Sequence, residues 1–147
     1  MKAMILAAGL GTRLKPFTDH HPKALAIVNG KSLLQRNIEY LQDYGIYEVV
    51  VNVHHFANQM KDAIQKNKGW GSNVTISDES EEVLETGGGL LRAKAHFENE
   101  AKWLVMNADI LTDLDLGKML EADKAFDASS EGEMVATLAV TNRTTSR

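Results

Sequence analysis

The chain contains no cysteine among its 147 residues. That removes disulfides, thiolate metal sites and cysteine nucleophiles together, and it fits a reducing, cytoplasmic setting. Proline is scarce, with Pro16 and Pro22 as its two instances. No apolar run approaches the roughly 20 residues of a membrane span. Lys2 followed by Ala3 to Leu10 imitates a signal peptide, but charges and a proline follow at once and no small-residue cleavage site closes the run. Positive charge is in deficit, 16 Lys and Arg against 20 Asp and Glu, for a net charge of −4 without a basic block. A nucleic-acid polymer needs a concentrated positive footprint, so such a partner is disfavoured, as is a membrane. Sixteen cations still suffice to line one small anionic pocket.

What is present reads as an ordinary globule of one domain's length, 44% hydrophobic and 24% charged. Ala3 to Ala8 is a short apolar run ending at glycine, hence a buried strand. Ser32-Leu-Leu-Gln35 has the form of a capping box, the serine accepting a backbone N–H while the glutamine reaches back. Behind it Leu34, Ile38 and Leu41 recur at helical spacing, and Gly45 supplies a stop. Tyr47 to Val53 carries Val49-Val50-Val51, β-branched on both faces, as a central parallel strand requires. Phe56, Met60, Ala63 and Ile64 mark an amphipathic helix.

Val74 to Ser77 is the next expected strand, Leu90 to Phe97 a helix opened by Thr86 and three glycines, and Trp103 to Met106 a strand. Leu116 to Phe126 is expected to be helical, with Leu116, Met119 and Leu120 as its apolar stripe. Met134 to Val140 is expected to be a last strand. Alternation of this kind argues an α/β fold with a mainly parallel sheet. Ligands of such sheets bind outside the carboxyl ends of the strands, at the topological switch point. The loops after Ala8, Val53, Ser77 and Met106 are therefore the candidate walls of a site.

The first of these loops is Gly9-Leu-Gly11-Thr12-Arg13. Glycine lets backbone N–H groups approach a phosphate, and successive N–H groups in such a turn form an anion nest. The spacing excludes commoner phosphate loops. A Walker loop needs Gly-x4-Gly-Lys-Ser/Thr, which is absent. The dinucleotide fingerprint needs a third glycine where Leu14 stands, and its ribose-binding acid has no counterpart from Lys23 to Asn37. The loop could also be a tight turn that merely needs glycine. Arg13, Lys15 and Lys23, in a segment without apolar period, favour phosphate. Asp109 ends the run Trp103-Leu-Val-Met-Asn-Ala-Asp109, where an aspartate serves either a metal or a turn cap.

In order, Leu6-Ala-Ala-Gly-Leu-Gly-Thr-Arg-Leu14-x-Pro16, Pro22-Lys23-Ala-Leu25 and Asp109 resemble the signature of the sugar-1-phosphate nucleotidyltransferases. Glu85-Thr-Gly-Gly-Gly89 and Val51-Asn-Val-His-His55 look most like bacterial members handling N-acetylmuramate 1-phosphate (uridylyltransferases) or mannose 1-phosphate (guanylyltransferases). The resemblance implies the nucleotide-diphospho-sugar transferase fold, Rossmann-like, with helices on both faces of the sheet. It implies transfer of a nucleotidyl group from UTP or GTP to a sugar 1-phosphate, forming an NDP-sugar for cell-envelope precursors and releasing pyrophosphate.

On that resemblance Leu6, Ala8 and Gly9 to Thr12 surround the nucleotide and cradle its phosphates. Arg13 contacts the leaving pyrophosphate, and Lys23 the α-phosphate or the attacking sugar phosphate. Asp109 is a Mg²⁺ ligand, Asn107 faces nucleotide or sugar, and Thr86 and Gly87 approach the base. Arg13, Lys23 and Asp109 would carry catalysis. Some relatives read a pyrimidine with a glutamine upstream of the triple glycine; Glu81, Glu82 and Glu85 stand there here. Asp113 and Asp115 read as loop and N-cap residues. His20 and His21 read as solvated, His96 as structural, and one of His54 and His55 as a candidate for the sugar pocket.

Members of this family are longer, and the resemblance places the remaining sheet and a second metal-binding aspartate beyond Arg147. Residues 1–147 are then expected to be the N-terminal, nucleotide-binding part of one catalytic domain, truncated at its C-terminus, binding nucleotide weakly alone. An incomplete sheet leaves an apolar edge that favours homo-oligomer formation. A phosphocholine-type cytidylyltransferase and a non-catalytic nucleotide-binding module are the alternative readings.

Overall fold

The computed structural model describes residues 1–81, 84–129 and 134–140. In chain order, β1 (Ala3–Leu6) leads through three short 3-10 turns to a small hairpin, β2 (Ile27–Val28) and β3 (Lys31–Ser32). Then come α1 (Leu33–Asp43), β4 (Glu48–Val53), α2 (Ala57–Lys66), β5 (Asn73–Asp78), α3 (Thr86–Ala93), β6 (Leu104–Asn107) and α4 (Leu116–Ser129). The main sheet has the order β5-β4-β1-β6 and every pairing in it is parallel. The expected α/β class and parallel sheet are what the chain adopts.

The strand order places the switch point. From β1 the chain moves outward to β4 and β5, then returns to the other side of β1 as β6. The register sets Leu6 opposite Asn52 on one flank and opposite Asn107 on the other. Three strand ends therefore finish level, with β1 in the middle. Ala3, Met4 and Ile5 of β1 are wholly buried, as are Leu34, Ile38 and Leu41 of α1. Burial runs without alternation from Val49 to Val53 in β4, the signature of a strand covered on both faces. Met4, Val50, Ala93 and Phe97 form one buried cluster, with Trp103 stacked on Phe97 at 4.1 Å between ring centroids.

Several local expectations are refined. Ser32 caps α1, its hydroxyl accepting the Gln35 N–H at 3.1 Å, but the Gln35 side chain donates to Glu39 at 2.9 Å rather than reaching back. The Gln35 amide is held one turn along the helix by donating to a carboxylate instead of accepting the Ser32 N–H, so half of the capping box is formed. The β2–β3 hairpin was not foreseen; it turns on Asn29 and Gly30, both at positive φ (46° and 78°). The expected last strand, Met134 to Val140, is not one: these residues join no ladder and Val135, Leu138 and Val140 are exposed. A strand is defined by a neighbour to bond with, and an alternating apolar pattern alone does not provide one.

The chain divides into two compact units, Met1–Leu111 and Thr112–Arg147. The first holds the whole sheet. In the second, α4 is capped by Asp115, whose carboxylate accepts the Lys118 N–H at 3.2 Å, as expected for that residue. Asp113 lies in the loop before it. Thr137 donates to Asp123 at 2.8 Å. Among the described residues no helix is long and apolar enough to cross a membrane.

Candidate functional site

A cavity of about 430 Å³ opens at the carboxyl ends of β1, β4 and β6. Pockets for nucleotide-sized ligands span roughly 300–1,000 Å³. Its floor is made by the level strand ends Leu6, Asn52 and Asn107, and one wall by the continuous loop 7–13. Lys23 and Ala24 close another side, Asp109 sits at the β6 end, and Leu84 to Thr86 form the far wall. Of the residues singled out in the sequence, Leu6, Ala8, Gly9, Gly11, Thr12, Arg13, Lys23, Thr86, Asn107 and Asp109 all line this space. Gly87 does not, lying one residue further along α3 than Thr86. Lys15 does not either; it points to Asp19 across one exposed turn, at 3.1 Å. Two of the three expected cations thus meet at the cavity.

The two glycines of the loop differ in their reasons. Gly11 has φ +66°, and a Cβ there would lie 2.8 Å from a Thr18 methyl and 3.1 Å from Lys23 Cβ. Its carbonyl accepts the Thr18 hydroxyl and the Leu14 N–H, both at 2.9 Å. Gly11 is therefore demanded by the turn itself. Gly9 has no left-handed φ, and apart from its own chain neighbours no atom lies within 4 Å of a Cβ built on it. Nothing in the fold requires glycine at that position, which borders the cavity and is open to it.

Lys23 stands at the start of a 3-10 turn after Pro22, and its ammonium forms an ion pair with the Asp109 carboxylate. The side chains remain 22% and 35% exposed, so both are reachable from the cavity. Asp109 follows a firmly held peptide: the Ala108 N–H donates to Leu6 O at 3.0 Å, and Ala108 O accepts buried Asn37 Nδ2 at 2.8 Å. Asn37 comes from α1, so two separate elements, β1 and α1, hold the residue that precedes the aspartate.

Asn52, Glu79 and Asn37 were not singled out in the sequence. The available signal was a polar residue inside an apolar run, Val49-Val-Val-Asn52-Val. Asn52 Oδ1 accepts the Ala7 N–H at 2.7 Å and its Nδ2 donates to the buried Glu79 Oε1 at 3.0 Å. The histidines lie apart from the cavity: His54 Nδ1 donates to Glu79 O at 2.7 Å, His55 packs on Phe56, and His21 pairs with Gln59. Beyond the far wall, Asp78 ends β5. The Lys61 ammonium beside it, then the Ser80 hydroxyl and N–H, hold its carboxyl well below the usual carboxylate range.

A switch-point cavity thus joins a glycine loop, a lysine and a strand-end aspartate. The family model described as nucleotidyl transferase matches residues 2–147. The chain belongs to this family. It is 41% identical over 115 residues to an N-acetylmuramate alpha-1-phosphate uridylyltransferase of Neisseria meningitidis, an alignment covering 78% of this chain and 49% of that protein. It is 51% identical over 59 residues to a choline-phosphate cytidylyltransferase of Streptococcus pneumoniae, covering 40% of this chain and 26% of that one.

Among solved structures, the chain superposes on HddC from Yersinia pseudotuberculosis, crystallised with GMP-PN, with a TM-score of 0.74 at 34% identity. That match covers 83% of this chain and 53% of HddC. The chain spans about half the length of these uridylyltransferase and HddC relatives. The chain has the nucleotide-diphospho-sugar transferase fold, with a mainly parallel sheet.

Proposed function

We propose that the complete polypeptide transfers a nucleotidyl group from a nucleoside triphosphate to a sugar 1-phosphate, releasing pyrophosphate. In this reading residues 1–147 are the nucleotide-binding part of one catalytic domain. The observation that carries it is the meeting of Gly9, Arg13, Lys23 and Asp109 around one 430 Å³ cavity, although the first and last are a hundred residues apart. The uridylyltransferase acting on N-acetylmuramate 1-phosphate and the guanine nucleotide bound by HddC support UTP or GTP as donor and a sugar 1-phosphate as acceptor.

The chemistry asks little covalent work of the protein. A sugar phosphate oxygen attacks the α-phosphorus, a new P–O bond forms, and the bond to the β-phosphate breaks with its electron pair leaving on pyrophosphate. A phosphate monoester has its second pKa near about 6, so the nucleophile is already ionised at neutral pH and no general base is needed. Positioning and neutralisation of charge remain. The loop 9–12 offers backbone N–H groups to the β- and γ-phosphates, Arg13 meets the leaving pyrophosphate, and Lys23 meets the α-phosphate or incoming phosphate. Asn107 faces the nucleoside or sugar, and Leu84 to Thr86 form the wall for the base.

Asp109 fits Mg²⁺ as a single carboxylate at a strand end. Among the described residues no group of three metal-binding side chains exists, and Mg²⁺ suits a site completed by phosphate oxygens and water. The ion would neutralise phosphate charge. A cysteine-free enzyme using cytosolic triphosphates belongs, in this reading, to the cytoplasm, with its product serving the cell envelope.

Pyrophosphate release with four triphosphates against a panel of sugar 1-phosphates tests the reading; one sugar-dependent pair well above the rest is expected. A second reading, phosphocholine as acceptor with CTP, is favoured by the 51% identity over 59 residues to the pneumococcal enzyme. Phosphocholine therefore belongs on the panel, and its selective use would replace the first reading. Triphosphate binding without any acceptor-dependent release would leave only a nucleotide-binding module.

A further inference from the structure

Glu79 is fully buried, at 0% exposure, and one of its carboxylate oxygens, Oε2, has no hydrogen-bond partner. Carboxylates lose much solvation on burial, so an apolar side chain would serve packing alone better. Its other oxygen accepts from Asn52 Nδ2 at 3.0 Å. This contact holds the Nδ2 end of the Asn52 amide toward Glu79. The Asn52 carbonyl oxygen is thereby aimed at the Ala7 N–H, 2.7 Å away, the first peptide of the cavity loop 7–13. On the opposite side lies Gly89 of α3. A Cβ there would come within 3.0 Å of both Asn52 Nδ2 and Glu79 Oε1. The pair thus occupies the space that a missing side chain leaves, at the root of the helix whose entry, Leu84 to Thr86, forms the far wall.

We propose that Asn52 and Glu79 form a buried positioning relay that locks the phosphate loop to the base wall. Asn52 belongs to the cavity floor, but both ends of its amide are engaged by Ala7 and Glu79, and Glu79 does not line the cavity. Glu79 orients Asn52, Asn52 orients Ala7, and Gly89 leaves room for both. The relay sets the distance between the two walls that grip opposite ends of a nucleoside triphosphate. The inference rests on reading the cavity as a nucleotide site.

The relay is tested in the complete polypeptide with two independent readouts. Steady-state kinetics of Asn52→Ala and Glu79→Leu are expected to raise KM for the triphosphate about tenfold, with KM for the sugar phosphate changed less than twofold. The double variant is expected to be no worse than either single one. Glu79→Gln, which keeps an acceptor oxygen in place, is expected to return KM to within about twofold of wild type. Amide hydrogen exchange at Ala7 is expected to be slow in the wild type and faster in both apolar variants, whatever the activity. An unchanged triphosphate KM in Glu79→Leu, or a loss spread evenly over both substrates in step with melting temperature, would overturn the relay. If the wild type binds no triphosphate, the site reading fails and the relay's purpose with it. Exchange at Ala7 would then still report whether the mechanical link exists.

Discussion

Gly9 and Gly11 are two residues apart and are expected to answer the same substitution in opposite ways. Alanine at position 11 must hold a left-handed φ and press on Thr18 and Lys23, so a stability loss of about 1–3 kcal/mol is expected from urea unfolding. Alanine at position 9 meets no atom, and stability should stay within about 0.5 kcal/mol of wild type. Triphosphate KM should nonetheless rise tenfold or more, because the added methyl stands where backbone and phosphate would meet. A Gly9→Ala variant with wild-type KM would remove the loop from the site. This division was invisible in the sequence, where both glycines fit a phosphate nest and a plain turn equally. The difference lies in Thr18 and Lys23, whose positions only the folded turn defines. Asn37 and Asn52 were hidden for a related reason: each sits in an apolar pattern that identifies the element but not the polar atom within it.

Elements were legible wherever an apolar period ran for a full turn or strand. Among the described residues that covers β1, β4, β5 and β6, with ends displaced by a residue or two, and α1, α2 and α4, the last running three residues past the expected Phe126; α3 lies at Thr86–Ala93 rather than at Leu90–Phe97, where a 3-10 turn takes over from Lys94. The Asn29-Gly30 hairpin was passed over, although its dipeptide is a strong turn signal, because its strands are two residues long. Met134 to Val140 failed in the other direction, having the composition of a strand and no ladder. At α3 the triple glycine separates two effects. Gly87→Ala meets nothing within 4 Å and should stabilise by about 0.5–1 kcal/mol, as glycine-to-alanine changes in helices do. Gly89→Ala should lose that gain and fall below wild type, since its methyl collides with the Asn52–Glu79 pair. Thermal melts of the two variants decide this; equal stabilisation would mean the pair moves aside freely.

The end of β5 is tethered to α2 through Lys61 and Asp78. The folded carboxyl titrates below its unfolded value of about 3.9, so its contribution is present above about pH 4 and is lost as pH falls toward the folded pKa. Both side chains are about 40% exposed, which limits the pair to about 0.5 kcal/mol at neutral pH. Urea unfolding of Lys61→Met should show that deficit at pH 7, and the curves for variant and wild type should converge as pH drops below 3.

At the level of the whole molecule, parallel topology turns distant sequence into one surface. Lys23 and Asp109 are 86 residues apart in the chain and form an ion pair because β6 returns beside β1. The order of motifs along the sequence was enough to expect both at the strand ends; their direct pairing was not, because it depends on the β1–β6 register. With no phosphate in place each neutralises the other, and a partly exposed pair contributes only about 0–1 kcal/mol to stability. With phosphate bound, the lysine has a stronger claim from the anion and the aspartate from a divalent ion. Replacing both charges, as Lys23→Met with Asp109→Asn, should therefore shift the melting temperature by no more than a few degrees. It should also lower kcat by about 10²–10³, the cost of removing one preorganised electrostatic group at a transition state. If the two groups act on one phosphoryl centre, the double variant should fall well short of the product of the single losses. Multiplying losses would place them at separate steps. A double variant with full kcat would strip both residues of any catalytic part, and would leave their ion pair as an ordinary tie between two strand ends.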